Sequence, residues 1–153
     1  MSVVSLGGME LDLDTIEQLA QRIHANYLAR FAPDGPQWTD LTEDLREANR
    51  AQARAFVAKV EAVGAHIEQG KQVKLFEFTD DELDELARAE HQRWMDQRTS
   101  AGWSYDPVRD DAQKHHPMLV PWESLDEHER EKDRDAVRHI PDVLASVGLR
   151  VAR

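Results

Sequence analysis

The chain aligns with itself. Setting Trp38 against Trp122, an offset of 84 residues, carries the alignment without a gap to residue 151, and nine of the 30 positions compared are identical. Trp38/Trp122, Leu41/Leu125, Arg46/Arg130, Arg50/Arg134 and Gly64/Gly148 are among them. Ordinary composition gives roughly two such identities by chance. Upstream, Leu19, Ala20, His24 and Tyr27 match Leu86, Ala87, His91 and Trp94 at an offset of 67, so the second copy carries 84 − 67 = 17 extra residues between its two helices. A chain built this way is two helix-loop-helix units. Each exposes an apolar face that it cannot bury alone, which predicts mutual packing about a pseudo-twofold axis. The expected fold is mainly α, with short strands or extended connections. Residues 1–13 read as a lead, 14–78 as the first copy and its connection, and 79–153 as the second, both in one compact domain.

Local signals place four helices, near 14–30, 40–63, 80–101 and 125–147. Asp14 is a candidate cap for the first. Asp40 and Glu43, Thr79 and Glu82, and Ser124 and Glu127 have capping-box spacing, and Phe78 with Leu83 has the spacing of a hydrophobic staple. Gly64, Gly102 and Gly148 stand where helices end. Pro141 should bend the fourth helix. Val73, Leu75 and Phe78 alternate with polar residues, which suggests a short strand or an extended connection. Residues 102–123, GWSYDPVRDDAQKHHPMLVPWE, form a long polar and aromatic loop, a length associated with function or disorder.

Composition excludes several classes. Without cysteine there is no disulfide framework, zinc-thiolate site or thiol catalysis, and a reducing, cytoplasmic setting fits. Thirty acidic against 19 basic residues, a net charge of −11, argue against binding nucleic-acid polymers or membrane surfaces. No apolar run approaches the roughly 20 residues of a spanning helix. MSVVSLGGMELD lacks the pattern of a signal peptide, and Met9 is a second candidate start.

No phosphate-binding glycine loop, GxSxG elbow or HExxH is present, and the histidines lack the spacing that puts two metal ligands on one helix face. No residue set makes an activated nucleophile by spacing. Neither enzyme, cofactor nor metal is expected. Arg46, Arg50 and Arg54, like Arg130, Arg134 and Arg138, recur every fourth residue. They either bridge to neighbouring glutamates or turn inward to hold an anion. His24 and His91 read as hydrogen-bonded interface histidines, and Trp38, Trp94 and Trp122 as core anchors. Trp103 has no partner in the first copy. Beside Tyr105, Arg98, Arg109 and Lys114 it suits a planar anionic ligand, and equally a loop aromatic packing back on the core.

At this loop the sequence resembles the ryanodine-receptor repeat, the RyR domain. His91 and Trp94, GWSYDPVRDD at 102–111, HPMLVPWESL at 116–125, ER at 129–130, DRD at 133–135 and LASVGLRV at 144–151 carry the likeness. Residues 14–67 look like a degenerate first copy without the GWxY-DD-HP loop. The resemblance implies a mostly helical fold with two repeats packed about a pseudo-twofold, and no catalysis. Such repeats occur in large calcium-release channels, where a tandem holds an adenine nucleotide between copies with GWxY tryptophans near the base. In bacterial and phage proteins they resemble ligand-sensing parts joined to effectors, including nucleotide-signalled defence systems. Trp103 is thereby implied as a base-stacking residue. Asn49, Arg50, Asp133 and Arg134 fall at the family's N-R/N-D helix position near that pocket. Asp133 stands where Asn is common and adds a negative charge.

The leading expectation is therefore a non-enzymatic module sensing an adenine-containing or cyclic nucleotide between the repeats. Trp103 would stack the base, Tyr105 would belong to the ligand site, and Arg98, Lys114, Arg50 or Arg134 would take the phosphate. This leaves room for a fused or associated effector and for homo-oligomers. The alternative is a protein-interaction or scaffold module. An exposed Trp103 beside a basic pocket favours the first reading, and a buried Trp103 the second.

Overall fold

The computed structural model describes residues 10–153, so the expectations for residues 1–8 and Met9 lie outside the described residues. The chain is mainly helical. Its elements are α1 (Leu13–Phe31), α2 (Glu43–Arg54), α3 (Phe56–Ala62), β1 (His66–Gln69), α4 (Asp80–Ser100), β2 (Ser104–Tyr105), β3 (His115–His116), α5 (Glu127–Arg138), α6 (Ile140–Ala145) and β4 (Leu149–Ala152). Short 3-10 turns at Trp38–Asp40 and Trp122–Ser124 precede α2 and α5. Among the described residues no helix is long and apolar enough to cross a membrane.

The chain forms two compact units, one of residues up to Phe78 together with Arg138–Arg153, the other of Thr79–Val137. The second unit begins at Thr79, the expected start of the second copy, and Arg138–Arg153 group with the first unit. The reason lies in pairing partners: β4 pairs antiparallel with β1, and α6 packs on α1 and β4.

In the first unit, α1 starts two residues earlier than Asp14 would allow, because Asp12 accepts the Thr15 amide at 2.8 Å. Its buried stripe is Ile16, Leu19, Ala20, Ile23 and Leu28, and α1 packs against α2. Thr42, not Asp40, caps α2, since Asp40 belongs to the preceding 3-10 turn. The expected helix 40–63 breaks at Ala55, and the expected helix 125–147 breaks at His139, again 84 residues on. Pro141 does not by itself cause the break. Val57 stands at the equivalent place in the first copy, which breaks all the same. The proline sits at the start of α6, where its missing N–H costs nothing.

Gly64 and Gly148 end α3 and α6 with φ of 77° and 79°. At Gly64 the motif is complete: Gly64 N–H donates to Glu61 and Ala65 N–H to Val60. A Cβ at either glycine would meet nothing within 4 Å, so Gly64→Ala and Gly148→Ala should each lose only the left-handed backbone penalty, about 1–2 kcal/mol. Urea unfolding of the two variants checks both the size and the equality of the losses.

The β1–β4 ladder is centred on Ile67 opposite Val151, themselves 84 residues apart, and flanked by His66/Ala152 and Glu68/Arg150. The offset of 84 exchanges those two flanking pairs. Ile67 and Val151 are buried in the core with Phe56, Val60 and Leu144. Of the two readings of Val73, Leu75 and Phe78 the connection holds, since no strand forms there and Val73 is 95% exposed. The outer edge of β4 is already occupied by a side chain. Val151 N–H donates to Gln72 Oε1 at 3.3 Å, and Gln72 Nε2 donates to the Val151 carbonyl at 3.4 Å. An amide side chain thus covers the edge that a third strand would need.

In the second unit, α4 opens on the expected capping box. Thr79 Oγ1 accepts the Glu82 amide at 3.1 Å, and Glu82 Oε1 accepts the Thr79 amide at 2.9 Å. Asp126, rather than Ser124, accepts the Glu129 amide at the start of α5. Trp122, Ala87 and Leu125 form a core cluster, with Met118 and Val120 packed on it. Residues 102–123 are ordered by a two-residue parallel pairing of β2 with β3 and by the 3-10 turn at Trp122.

Candidate functional site

The loop of the second unit starts from the last turn of α4, and its geometry is set there. Trp103 N–H donates to the Arg98 carbonyl at 2.9 Å, which folds the chain back over the helix end. Trp103 is 5% exposed. The Arg98 guanidinium lies 4.9 Å from its ring centroid and 5.7 Å from that of Trp94. The stacking face expected of Trp103 is therefore covered by the residue expected to take the phosphate, a cation–π contact in a largely desolvated place. Tyr105, two residues on, is 55% exposed, and Val108 is 71% exposed.

Lys114 has a different task from the one expected. Its Nζ donates to the Ala101 carbonyl at 2.7 Å, and its backbone takes the left-handed conformation with φ of 58°. The ammonium thereby satisfies a carbonyl just past α4, where the helix dipole favours a cation. The Lys114 carbonyl accepts the Ser104 amide at 2.9 Å beside the β2–β3 pairing.

His116 completes an aromatic cluster. Its ring is 4.9 Å from Trp94, edge to face, and 6.2 Å from Trp103. His116 Nδ1 accepts the Met118 amide at 3.0 Å, so that nitrogen carries no proton. Burial, with Arg109 and Arg98 nearby, pushes its pKa down to about 4. His91 stacks on Trp94 at 5.7 Å and donates Nε2–H to the Val120 carbonyl at 2.7 Å. His24 makes the same bond to Pro36 at 2.7 Å, as the interface reading expects.

The arginine rows are structural clasps. Arg46 donates to the carbonyls of Trp38 and Thr39, at 3.1 and 2.8 Å, and Arg130 to those of Trp122 and Glu123, at 3.2 and 3.1 Å. Arg50 bonds Glu17 at 2.7 Å and Glu43 at 2.5 Å, while Arg134 bonds Asp84 at 2.7 Å and also Glu127. These carboxylates raise both arginines' pKa values further above the ordinary guanidinium range. Each contact recurs at the offsets of the sequence repeat. Asn49 donates to the Leu45 carbonyl of its own helix at 3.0 Å.

Of the expected site residues, Trp103, Arg98, Tyr105 and Lys114 gather at the end of α4 and the adjoining loop. Asp133 and Arg134 lie on α5 of the same unit, and Asn49 and Arg50 on α2 of the first. Trp38 and Trp94, expected as core anchors, are only half-buried, whereas Trp122 is 8% exposed. Sequence reasoning missed the polar interior of the second unit. Glu90 is 4% exposed and takes both Nε and Nη2 of Arg93, at 2.9 and 2.7 Å. The only hint was an i, i+3 charge pair inside an otherwise apolar stripe. A family model described as RyR domain matches residues 70–153, more than half of the chain.

Proposed function

Because this chain belongs to the RyR domain family, we propose that it is a non-catalytic recognition module that works through the loop of its second unit. The observation that carries this reading is the loop's division of labour. Trp103 turns inward under Arg98 and anchors the segment, while Tyr105 and Val108, either side of Asp106 and Pro107, project into solvent. A rigidly held, exposed aromatic and aliphatic pair suits contact with a protein partner. The charges expected to take phosphate are answered within the chain: Arg50 and Arg134 by carboxylates, Lys114 by the Ala101 carbonyl. The protein-interaction reading, in a cytoplasmic setting, is thus the better supported.

One observation favours the second reading, a sensor for an adenine-containing or cyclic nucleotide in a bacterial or phage signalling or defence system. Arg98, Lys114 and the exposed ring of Tyr105 gather around one loop in an otherwise acidic protein. Binding would then require phosphate to displace a carboxylate from Arg134 or Arg50. A thermal-shift screen against mono-, cyclic di- and cyclic trinucleotides, followed by calorimetry on Tyr105→Ala, separates the two. On the interaction reading no nucleotide shifts the melting curve. A hit that Tyr105→Ala weakens by about 5- to 150-fold, the range of one base–aromatic stack, would replace that reading with the sensor.

A further inference from the structure

The second unit holds a largely buried histidine–carboxylate contact, His91 with Asp133. His91 on α4 donates Nε2–H to the Val120 carbonyl of the loop, because a carbonyl can only accept. Its other nitrogen, Nδ1, faces Asp133 Oδ2 on α5 at 3.6 Å. The His91 side chain is 4% exposed and that of Asp133 22%. With Nδ1 bare and the carboxylate charged, two lone pairs would face each other with no bond between them. A proton on either atom turns the contact into an attractive one.

The neighbours do not supply another solution. From α4, Asp133 meets Glu90 and Arg93, and Arg93 is engaged with both oxygens of Glu90. From its own helix it meets Glu129 and Lys132, which pair with each other at 3.3 Å. The loop meets the pair through the Val120 carbonyl bonded to His91.

We propose that one proton sits between His91 Nδ1 and Asp133 Oδ2 and latches α4, α5 and the loop together. Burial, with Glu90 and Glu129 nearby, acts in the same direction and pushes the Asp133 carboxyl up to about 8 from an ordinary 3.8. In the unfolded chain an ordinary imidazole keeps that proton until about pH 6.5, so the folded pair binds an extra proton only above that value, and stability falls as pH rises from about 6.5 to 8. His116 acts oppositely. Its folded value of about 4 lies below its ordinary 6.5, so stability rises with pH between them. The His116 slope lies below pH 6.5, so the latch is read above it, between about pH 6.5 and 8.

The test has two arms on the full chain. In wild-type protein, carbon NMR of the Asp133 carboxyl should show a titration far above the ordinary carboxylate range. Thermal and urea unfolding should show the wild type losing about tenfold in folding equilibrium per pH unit across the window. Asp133→Asn, whose amide donates to Nδ1 at every pH, should show no such loss. An Asp133 carboxyl that titrates below pH 5, or an Asn variant with the same alkaline loss, would overturn the latch. The NMR arm decides the matter should the variant not fold.

Discussion

Trp122→Ala is expected to cost about 3–5 kcal/mol, against about 1–2 kcal/mol for Trp38→Ala. The two tryptophans are equivalent in the repeat, and sequence alone assigns them equal anchoring roles. Their surroundings differ. Trp122 is 8% exposed, packs with Ala87, Leu125, Met118 and Val120, and carries the guanidinium groups of Arg88 and Arg130 at 5.6 Å and of Arg134 at 6.0 Å. Trp38 is half-buried and has Arg50 at 5.8 Å. The extra loop of the second copy supplies Met118 and Val120, which the first copy lacks in that form. Urea unfolding of both variants reads the difference directly, and equal losses would mean that the loop contributes nothing to the Trp122 cluster.

Trp103→Ala should be comparably severe, about 3–5 kcal/mol, since the ring is 5% exposed and supports both Arg98 and His116. It also has a local signature. The depressed His116 pKa comes first from burial, so removing the ring that covers it should return the imidazole from about 4 toward 6.5. Proton NMR of the His116 ring across pH 3–8 follows this without reference to any ligand. A variant that keeps wild-type stability and an unmoved His116 would place Trp103 outside the packed interior. Exposure of Tyr105 predicts the contrast: Tyr105→Ala should leave stability within about 0.5 kcal/mol of wild type.

Much of the molecule was legible locally. The Thr79–Glu82 capping box, the left-handed glycines at 64 and 148 and the buried stripe of α1 each depend on residues a few positions apart. The likeness between the copies was legible too, and it reaches individual contacts. Arg46 and Arg130 hold equivalent carbonyls, and Arg50 and Arg134 reach matching acids across helices. Identical residues at a fixed offset make the same short-range geometry twice.

What tertiary structure decided was everything set by partners distant in sequence. Val73 and Leu75 alternate as a strand should, yet the Gln72 amide occupies the β4 edge that they would need. Ala55 is an ordinary helix residue by propensity, but the chain breaks there as it does at His139. The units divide at 78/79, between the copies, but the β1–β4 ladder, which joins residues eighty or more positions apart, places the closing residues with the first unit. Trp103, read from its neighbours, suits an exposed stacking face and a buried anchor equally. Once the Trp103 amide bonds to the Arg98 carbonyl, the ring lies beneath that guanidinium and solvent is excluded. Composition specifies which groups a loop contains, whereas the hydrogen bonds that close the loop determine which of them face water.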